Sequence, residues 1–349
     1  MAGLGPANPG QGDAEIERVM MRAGADPLLL VIGGLAIDAL FGDMPAVFRQ
    51  VPHPVVLAGR AVAFFDRRLN REIRGEASRR DRGIVTVIVL VGVAAMLGLA
   101  LEWLCRGSLV GAAVECLLIA VLVAQHSLYQ HVAAVARALE VGGLSAGRAA
   151  VRHIVGRDPI SLDAFGVARA AIESLAENFS DGVVAPVVWY LLLGLPGLFA
   201  YKMANTLDSM IGHRTLRYRS FGWAAARVDD VLNLVPAPLS GLLLTAAAVF
   251  AKNCRPGHAL AIMLRDGRKH HSPNAGWPES AMAGALGLAL AGPRRYPEGL
   301  IADPWLGDGR ARAATSDIMR ALHLYRLACL VAGGLLLVAW FAVHVMPPF

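Results

Sequence analysis

Residues 84–104, IVTVIVLVGVAAMLGLALEWL, carry one charge, Glu102, close to their end. At about 1.5 Å per residue, a helix of this length crosses the ~30 Å hydrocarbon core of a bilayer. LVGAAVECLLIAVLVAQ (109–125) and LACLVAGGLLLVAWFAVHV (327–345) have the same character. DPLLLVIGGLAIDALFGD (26–43) is shorter and contains Asp38, while 183–201 and 234–251 are apolar but broken by Gly and Pro. The whole chain is only 17% charged, against about 25% in soluble domains. These features predict an all-α, polytopic helical membrane protein with about four to six membrane segments, some of them re-entrant, and helical cytoplasmic loops.

Residues 1–25 are rich in Gly and Ala and include Glu15 and Glu17. They lack a basic region leading into a cleavable apolar core, so a disordered extension is expected there, not a signal peptide. Residues 26–349 then form a single integral membrane domain. Cys105, Cys116, Cys254 and Cys329 lie in or beside apolar runs without a C-x-x-C pair, which argues against a disulfide framework or zinc site. The net charge of +6 sits in loops without interleaved aromatics, so it speaks for membrane orientation and against nucleic acid.

Nine arginines between 43 and 83, against one in the link 106–109, place 43–83 in the cytoplasm and the link outside. Residues 126–182 then return to the cytoplasm with five arginines. Two readings of 183–230 follow. If 183–201 crosses fully, Lys202, Arg214, Arg217, Arg219 and Arg227 lie outside. If it dips and returns at Gly194-Leu195-Pro196-Gly197, they stay inside, and the broken backbone must line a protein-covered, watered pocket. The second reading is preferred.

Polar residues gather at the edges of these runs. Wound as a helix, Glu173, Glu177 and Asp181 fall within ~80° of one another, with Asn178 beside them. Three such carboxylates call for a basic side chain or a cation such as Mg²⁺, which takes one or two carboxylates plus substrate phosphates. Alternatively, Ser180 or Asp181 caps the next helix and the glutamates are solvated. In YKMANTLDSMIGHR (201–214), Lys202, Asn205, Thr206, Ser209, Gly212 and His213 share a face of ~120°, with Asp208 at its edge. Met203, Ala204, Leu207, Met210 and Ile211 lie opposite. That mixture suits phosphate and metal-bound ligands, although an interfacial amphipathic helix would also display it. Asp229 and Asp230 stand one turn before Asn233; a metal or Arg227 would answer them, or they cap the following helix.

RKHHSPNAGWPESAMAGALG (268–287) reads as a loop entering a small-residue helix, with Ser280 as its cap and Glu279 within reach of a site. PHPVVLAGR (52–60) and RHIVGRDP (152–159) each set a histidine ahead of an arginine. GLSAG (143–147) matches a nucleophile elbow in letters only, because Gly142-Gly143 ends one helix and Ser145 starts another. Gly-Lys does not occur, so there is no Walker A loop, and no G-x-G-x-x-G opens a helix.

The ordered series HPVVLAGR, IVGRD, ESLAENFSDGVVAPVVWY, GLPGLFAYKMANTLDSMIGHR, FGWAAARVDDVLN and SPNAGWPESAMAGALG resembles the CobD/CbiB family of cobalamin biosynthesis, the membrane-bound adenosylcobinamide-phosphate synthases, over about residues 26–345. The resemblance implies an ATP-dependent ligation of adenosylcobyric acid with 1-aminopropan-2-ol or its O-phosphate. Amide formation from an unactivated acid needs an acyl phosphate or its equivalent, hence ATP, Mg²⁺, cations on the phosphoryl group and a base for the amine. On that basis Glu177, Asp181, Asp208, Asp229 and Asp230 would hold Mg²⁺. Lys202, Arg157 and Arg227 would bind phosphate, with Thr206, Ser209 and Glu279 lining the site. Asn178, Asn205 and Asn274 would orient substrate amides. Lys202, Asp208 and Glu177 would carry the chemistry, with His53 or His271 as proton acceptor. In PAPLSG (236–241) Pro238 stands where the family pattern has a basic residue, which would leave that charge to Arg227 or Arg219. The resemblance further implies a multi-pass inner-membrane protein with its site facing the cytoplasm, and contact with other corrinoid-pathway enzymes. A transporter or a non-enzymatic membrane regulator is the competing class; a transporter would need its acids inside the spans, whereas most sit at span ends.

Overall fold

The computed structural model describes residues 26–42, 48–49, 52–155, 159–213, 215–296, 299–301 and 303–345. The expected extension at 1–25 lies outside these residues, as does Arg157. Twelve helices are described: α1 Pro27–Phe41, α2 Pro54–Leu69, α3 Glu76–Cys105, α4 Leu109–Leu122, α5 Gln125–Val151, α6 Ala164–Phe179, α7 Ala185–Ile211, α8 Trp223–Leu232, α9 Pro236–Ala247, α10 Pro256–Asp266, α11 Gly276–Leu286 and α12 Thr315–His344. Four helical stretches are long and apolar enough to cross a membrane: Glu76–Cys105, Leu109–Val151, Ala164–Ile211 and Thr315–His344. The pair α8 and α9, bent by 46°, makes a fifth if it counts as one span. The fold is that of a polytopic helical membrane protein.

Local chemistry starts several of these helices. Asp26 accepts the amides of Leu28 and Leu29 at the head of α1, and Ser108 accepts that of Gly111 at the head of α4. Asp38, 1% exposed, is buried for the same reason: its Oδ2 accepts the amides of Gln125 and His126, the open first turn of α5. Gly143 interrupts α5 with φ 65° and ψ −159°, the expected helix end followed by a new start. Leu139 and Gly147 meet across that turn.

The decisive departure from regularity lies between α6 and α7. No cap separates them. Ser180–Val184 forms a π-helical turn, so neither Ser180 nor Asp181 starts a helix, contrary to the capping alternative. The helical path then continues to Gly194, where φ 65° and ψ −154° break it. Along one straight helix Asp181 and Tyr201 would stand about 30 Å apart, yet the Tyr201 hydroxyl lies 3.1 Å from the Asp181 carbonyl. The chain therefore turns back at Gly194, at the Gly-Leu-Pro-Gly break. Helix α3 supports the reversal: Glu102 Oε2 accepts the amide of Leu195 at 3.2 Å, and a Cβ on Gly98 would meet the Leu195 carbonyl at 2.6 Å. The second limb buries Ala204, Leu207 and Ile211; Leu207 and Ile211 pack with Val62, Val87, Leu90 and Phe221 from α2, α3 and the turn before α8.

Two sequence expectations are corrected between α8 and α12. Ser280 does not cap α11; the helix begins at Gly276 and buries Ser280 in its interior. Asp229 and Asp230 lie inside α8 and do not cap α9, which opens at Pro236. This region also holds short antiparallel strands, β1 Leu290–Ala291 with β4 Trp305–Leu306 and β2 Arg294–Tyr296 with β3 Gly299–Ile301. No alternating pattern in the sequence announces them. Their anchors are carboxylates: Glu173 Oε1 accepts the amide of Ala291 at 2.7 Å, and Asp266 Oδ2 that of Gly307 at 2.9 Å.

Asp266 also accepts from Arg265 and Lys269. Burial alone would raise its pKa, but these hydrogen bonds outweigh burial and hold the carboxyl well below the ordinary range. A folded-state pKa depressed in this way contributes stability that is present above the unfolded value of about 3.9 and lost as pH falls through the folded one. The thermal midpoint in detergent is expected to drop on acidification below about pH 4, and Asp266→Asn to lower it at pH 7 and flatten that slope. Gly194→Ala is expected to cost about 1–2 kcal/mol in backbone strain alone. It would cost more through contact with Glu102, because the added Cβ would sit 2.2 Å from its Oε2. Reporter fusions after residues 163 and 215 should lie on one side of the membrane; opposite sides would contradict the reversal.

Candidate functional site

Folding back at Gly194 brings the end of α6, the second limb of α7 and helix α8 together, and these carry three of the polar clusters. The Tyr201 hydroxyl, on a side chain 1% exposed, is the hub. It touches the Asp181 carbonyl and donates to Asn233 Oδ1 at 3.0 Å. Asn233 Nδ2 in turn donates to Asp229 Oδ2 at 3.0 Å, one turn back on α8. Asn205 Nδ2 reaches Asp229 Oδ1 from α7 at 3.3 Å. Trp189 Nε1 donates to the Leu232 carbonyl, tying the first limb to the end of α8.

Around this scaffold stand the charges. Asp181 feels those of Asp229, Glu177, Asp208 and Lys202, and Asp208 feels Asp230 and Glu177. Among the described residues, five carboxylates thus share one neighbourhood with the ammonium of Lys202. Arg227 Nη1 pairs with Asp230 at 3.2 Å on the exposed flank. From the loop before α11, Asn274 Nδ2 donates to the Asp230 carbonyl at 2.9 Å. Its Oδ1 is buried without a partner among the described residues, as is Ser180 Oγ in the π turn. Buried polar atoms left in this state are costly unless something binds them.

The other expected residues are placed as follows. Glu177 and Asn178 are exposed, and Asn178 Nδ2 donates to the Ser174 carbonyl. Thr206 turns its hydroxyl to the Lys202 carbonyl at 2.7 Å, while Ser209 is exposed. Glu279 is 2% exposed within α11. His53 heads α2, where its Nδ1 accepts the amide of Val55, and exposed His271 has its ring 4.2 Å from that of His270. Arg219 is drawn to Glu76, at the start of α3. Glu173 is committed to Ala291, which separates it from the other two acids of its stripe. Sequence reasoning missed Tyr201. An aromatic residue beside a polar helical face reads as packing, and only the reversal shows what its hydroxyl meets.

The donor set fits Mg²⁺ of one kind and not another. Among the described residues no three His, Cys, Asp or Glu side chains converge into a cage for a metal. A carboxylate-rich cluster with only one or two ligands offered per ion is the arrangement Mg²⁺ takes when substrate phosphates complete its octahedron. Asp181, Asp208 and Asp229 are the residues best placed to offer them.

Comparison with known proteins addresses the same residues. The family model described as CobD/Cbib protein matches residues 31–325. The chain belongs to the CobD/CbiB family. The match includes every cluster just described. Cobalamin biosynthesis protein CobD of Sinorhizobium sp is 51% identical over 314 residues, 89% of this chain and 97% of that protein. The protein of the same name from Brucella anthropi is 49% identical, covering 89% and 96%, and that from Rhodobacter capsulatus 46%, covering 90% and 97%. No solved structure matches the chain. Membership in the CobD/CbiB family gives the chain a role in cobalamin biosynthesis.

Tyr201→Phe removes the donor that Asn233 Oδ1 uses in a buried site. It is expected to destabilise the protein by about 1–3 kcal/mol, read as a lower thermal midpoint in detergent, with Asn233→Ala in the same range.

Proposed function

We propose that this chain joins the carboxyl of adenosylcobyric acid to the amine of (R)-1-aminopropan-2-ol O-phosphate, giving adenosylcobinamide phosphate, or of aminopropanol, giving adenosylcobinamide, in an ATP- and Mg²⁺-dependent ligation. The observation that carries the reading is the convergence of Asp181, Lys202, Asp208 and Asp229 at one place in a chain of the CobD/CbiB family.

Bound ATP would activate the carboxyl for attack, and Mg²⁺ held by one or two of Asp181, Asp208 and Asp229 would neutralise phosphate oxygens. Lys202 supplies a positive charge beside the transferring group, where a preorganised cation lowers the barrier most. Its place is set by the turn of α7 that Asn205 and Tyr201 tie to α8. Asn205, Asn178 and Asn274 offer amide groups to an amide-rimmed corrinoid, and Asn274 Oδ1 is the acceptor that such an amide would satisfy. His271 or His53 would take the proton of the incoming ammonium, with exposed Glu177 at the rim as a further candidate. Arg227 borders the same rim for phosphate. A substrate of that size suits a site at the membrane's edge, here the cytoplasmic face of the inner membrane, where other corrinoid-pathway enzymes can deliver it.

Purified protein given ATP, Mg²⁺, adenosylcobyric acid and each amine should form the amide; absence of product with both amines overturns the proposal. Lys202→Ala and Asp208→Asn should each lower kcat/KM by at least about 10²-fold at unchanged membrane expression. Wild-type rates in both would remove this limb of α7 from the site.

A further inference from the structure

A 350 Å³ cavity, lined in part by Asn253, Arg255, His258, Gly287, Asp308 and Arg320, lies at the far end of α11 from the carboxylate cluster. The N-terminal side of α11 reaches Asp230 through Asn274, and its C-terminal side forms the cavity wall at Leu286 and Gly287. Eleven residues of helix put about 16 Å between the two places. The size falls within the range of small-ligand sites, about 300–1,000 Å³.

The lining is basic, and its one acid is already engaged. Asp308 accepts from His258 Nε2 at 2.9 Å and from Arg265 Nη1 at 3.1 Å. Arg320 is held in place by the Asn253 carbonyl at 2.9 Å and by Asp317 at 3.2 Å, a carboxylate it shares with Arg310. Arg255 is different. Its backbone amide is fixed to the Ala285 carbonyl at 3.2 Å, while its guanidinium has no hydrogen-bond or ion-pair partner among the described residues. Arg255 is also the N-cap of α10, an eleven-residue helix whose first turn no side chain caps. Two arginines and a histidine around one cavity together select a compact, multiply charged oxyanion.

The cavity also sits at an apolar boundary. Val249 and Phe250, 65% and 69% exposed, precede it in the chain. The apolar stretch of α12 begins at Leu327, seven residues beyond Arg320, about 10 Å along the helix. We infer that this cavity binds a phosphate group, presented by a lipid headgroup or by a small soluble phosphate.

Full-length protein, delipidated in dodecyl maltoside, tests both sources by thermal midpoint. One arm titrates inorganic phosphate or O-phosphoethanolamine; the other titrates phosphatidylglycerol, with a galactolipid as the phosphate-free control. The expected result is a saturable rise in midpoint in at least one arm, kept in Lys202→Ala, with apparent affinity about tenfold weaker in Arg255→Gln. The arm that responds identifies the source. Because the exposed Arg255 guanidinium holds no partner among the described residues, Arg255→Gln should match wild type without ligand; His258→Gln serves as the second variant. No response of wild type in either arm, or equal response of wild type and both variants, overturns the inference.

Discussion

The reversal at Gly194 is the constraint on which the rest depends. Were α7 straight, Lys202 and Asp208 would lie on the far side of the bilayer from Glu177 and Asp181. Gly194 adopts a backbone that other residues enter at a cost. Glu102 accepts the amide the turn exposes at Leu195, and Gly98 lets α3 approach closely enough to do so. Far from that turn, the Tyr201 hydroxyl joins the two limbs again and passes the connection through Asn233 to Asp229. The two ends of the hairpin are therefore fixed by different means: a carboxylate capping backbone at the top, and a phenol bridging side chains at the base.

What stands at the base is an arrangement that a protein would not keep for stability alone. Like charges so close together repel, and the neighbourhood is partly withdrawn from water. The amides of Asn205 and Asn233 share the load on Asp229, while Arg227 answers Asp230 at the surface. Among the described residues, Lys202 is the cation that acts on Asp181. On the function proposed above, a ligand that brings cations with it, such as a metal-phosphate substrate, would relieve that repulsion.

Much of the architecture was written plainly in the sequence. The uninterrupted runs at 84–104 and 327–345 can only be long helices, and the Gly-Leu-Pro-Gly break at 194–197 marks the place where an apolar run turns. The amphipathic pattern of 202–211 sorted its faces correctly because Leu207 and Ile211 face a real core. Elsewhere, local signals pointed to the wrong outcome. Ser180 and Asp181 look like caps, yet tertiary packing keeps the helix going through them. The strands around 290–306 are fixed by Glu173 and Asp266, partners 118 and 41 residues away in the chain, which no local pattern can reveal. The sequence offered candidates for the site, but which of them meet, and the role of Tyr201, come only from the reversal.

The π turn at Ser180–Val184 has a consequence for how this region can vary. A π turn holds one residue more than the α-helix around it, and each residue of an α-helix turns the chain by about 100°. Losing one residue here would restore a regular helix and preserve every hydrophobic position in kind. It would also swing everything before the turn, Glu177 included, about a quarter-turn away from Lys202 and Asp229. This stretch is therefore under a counting rule: side chains within it can be exchanged more safely than the number of residues can change.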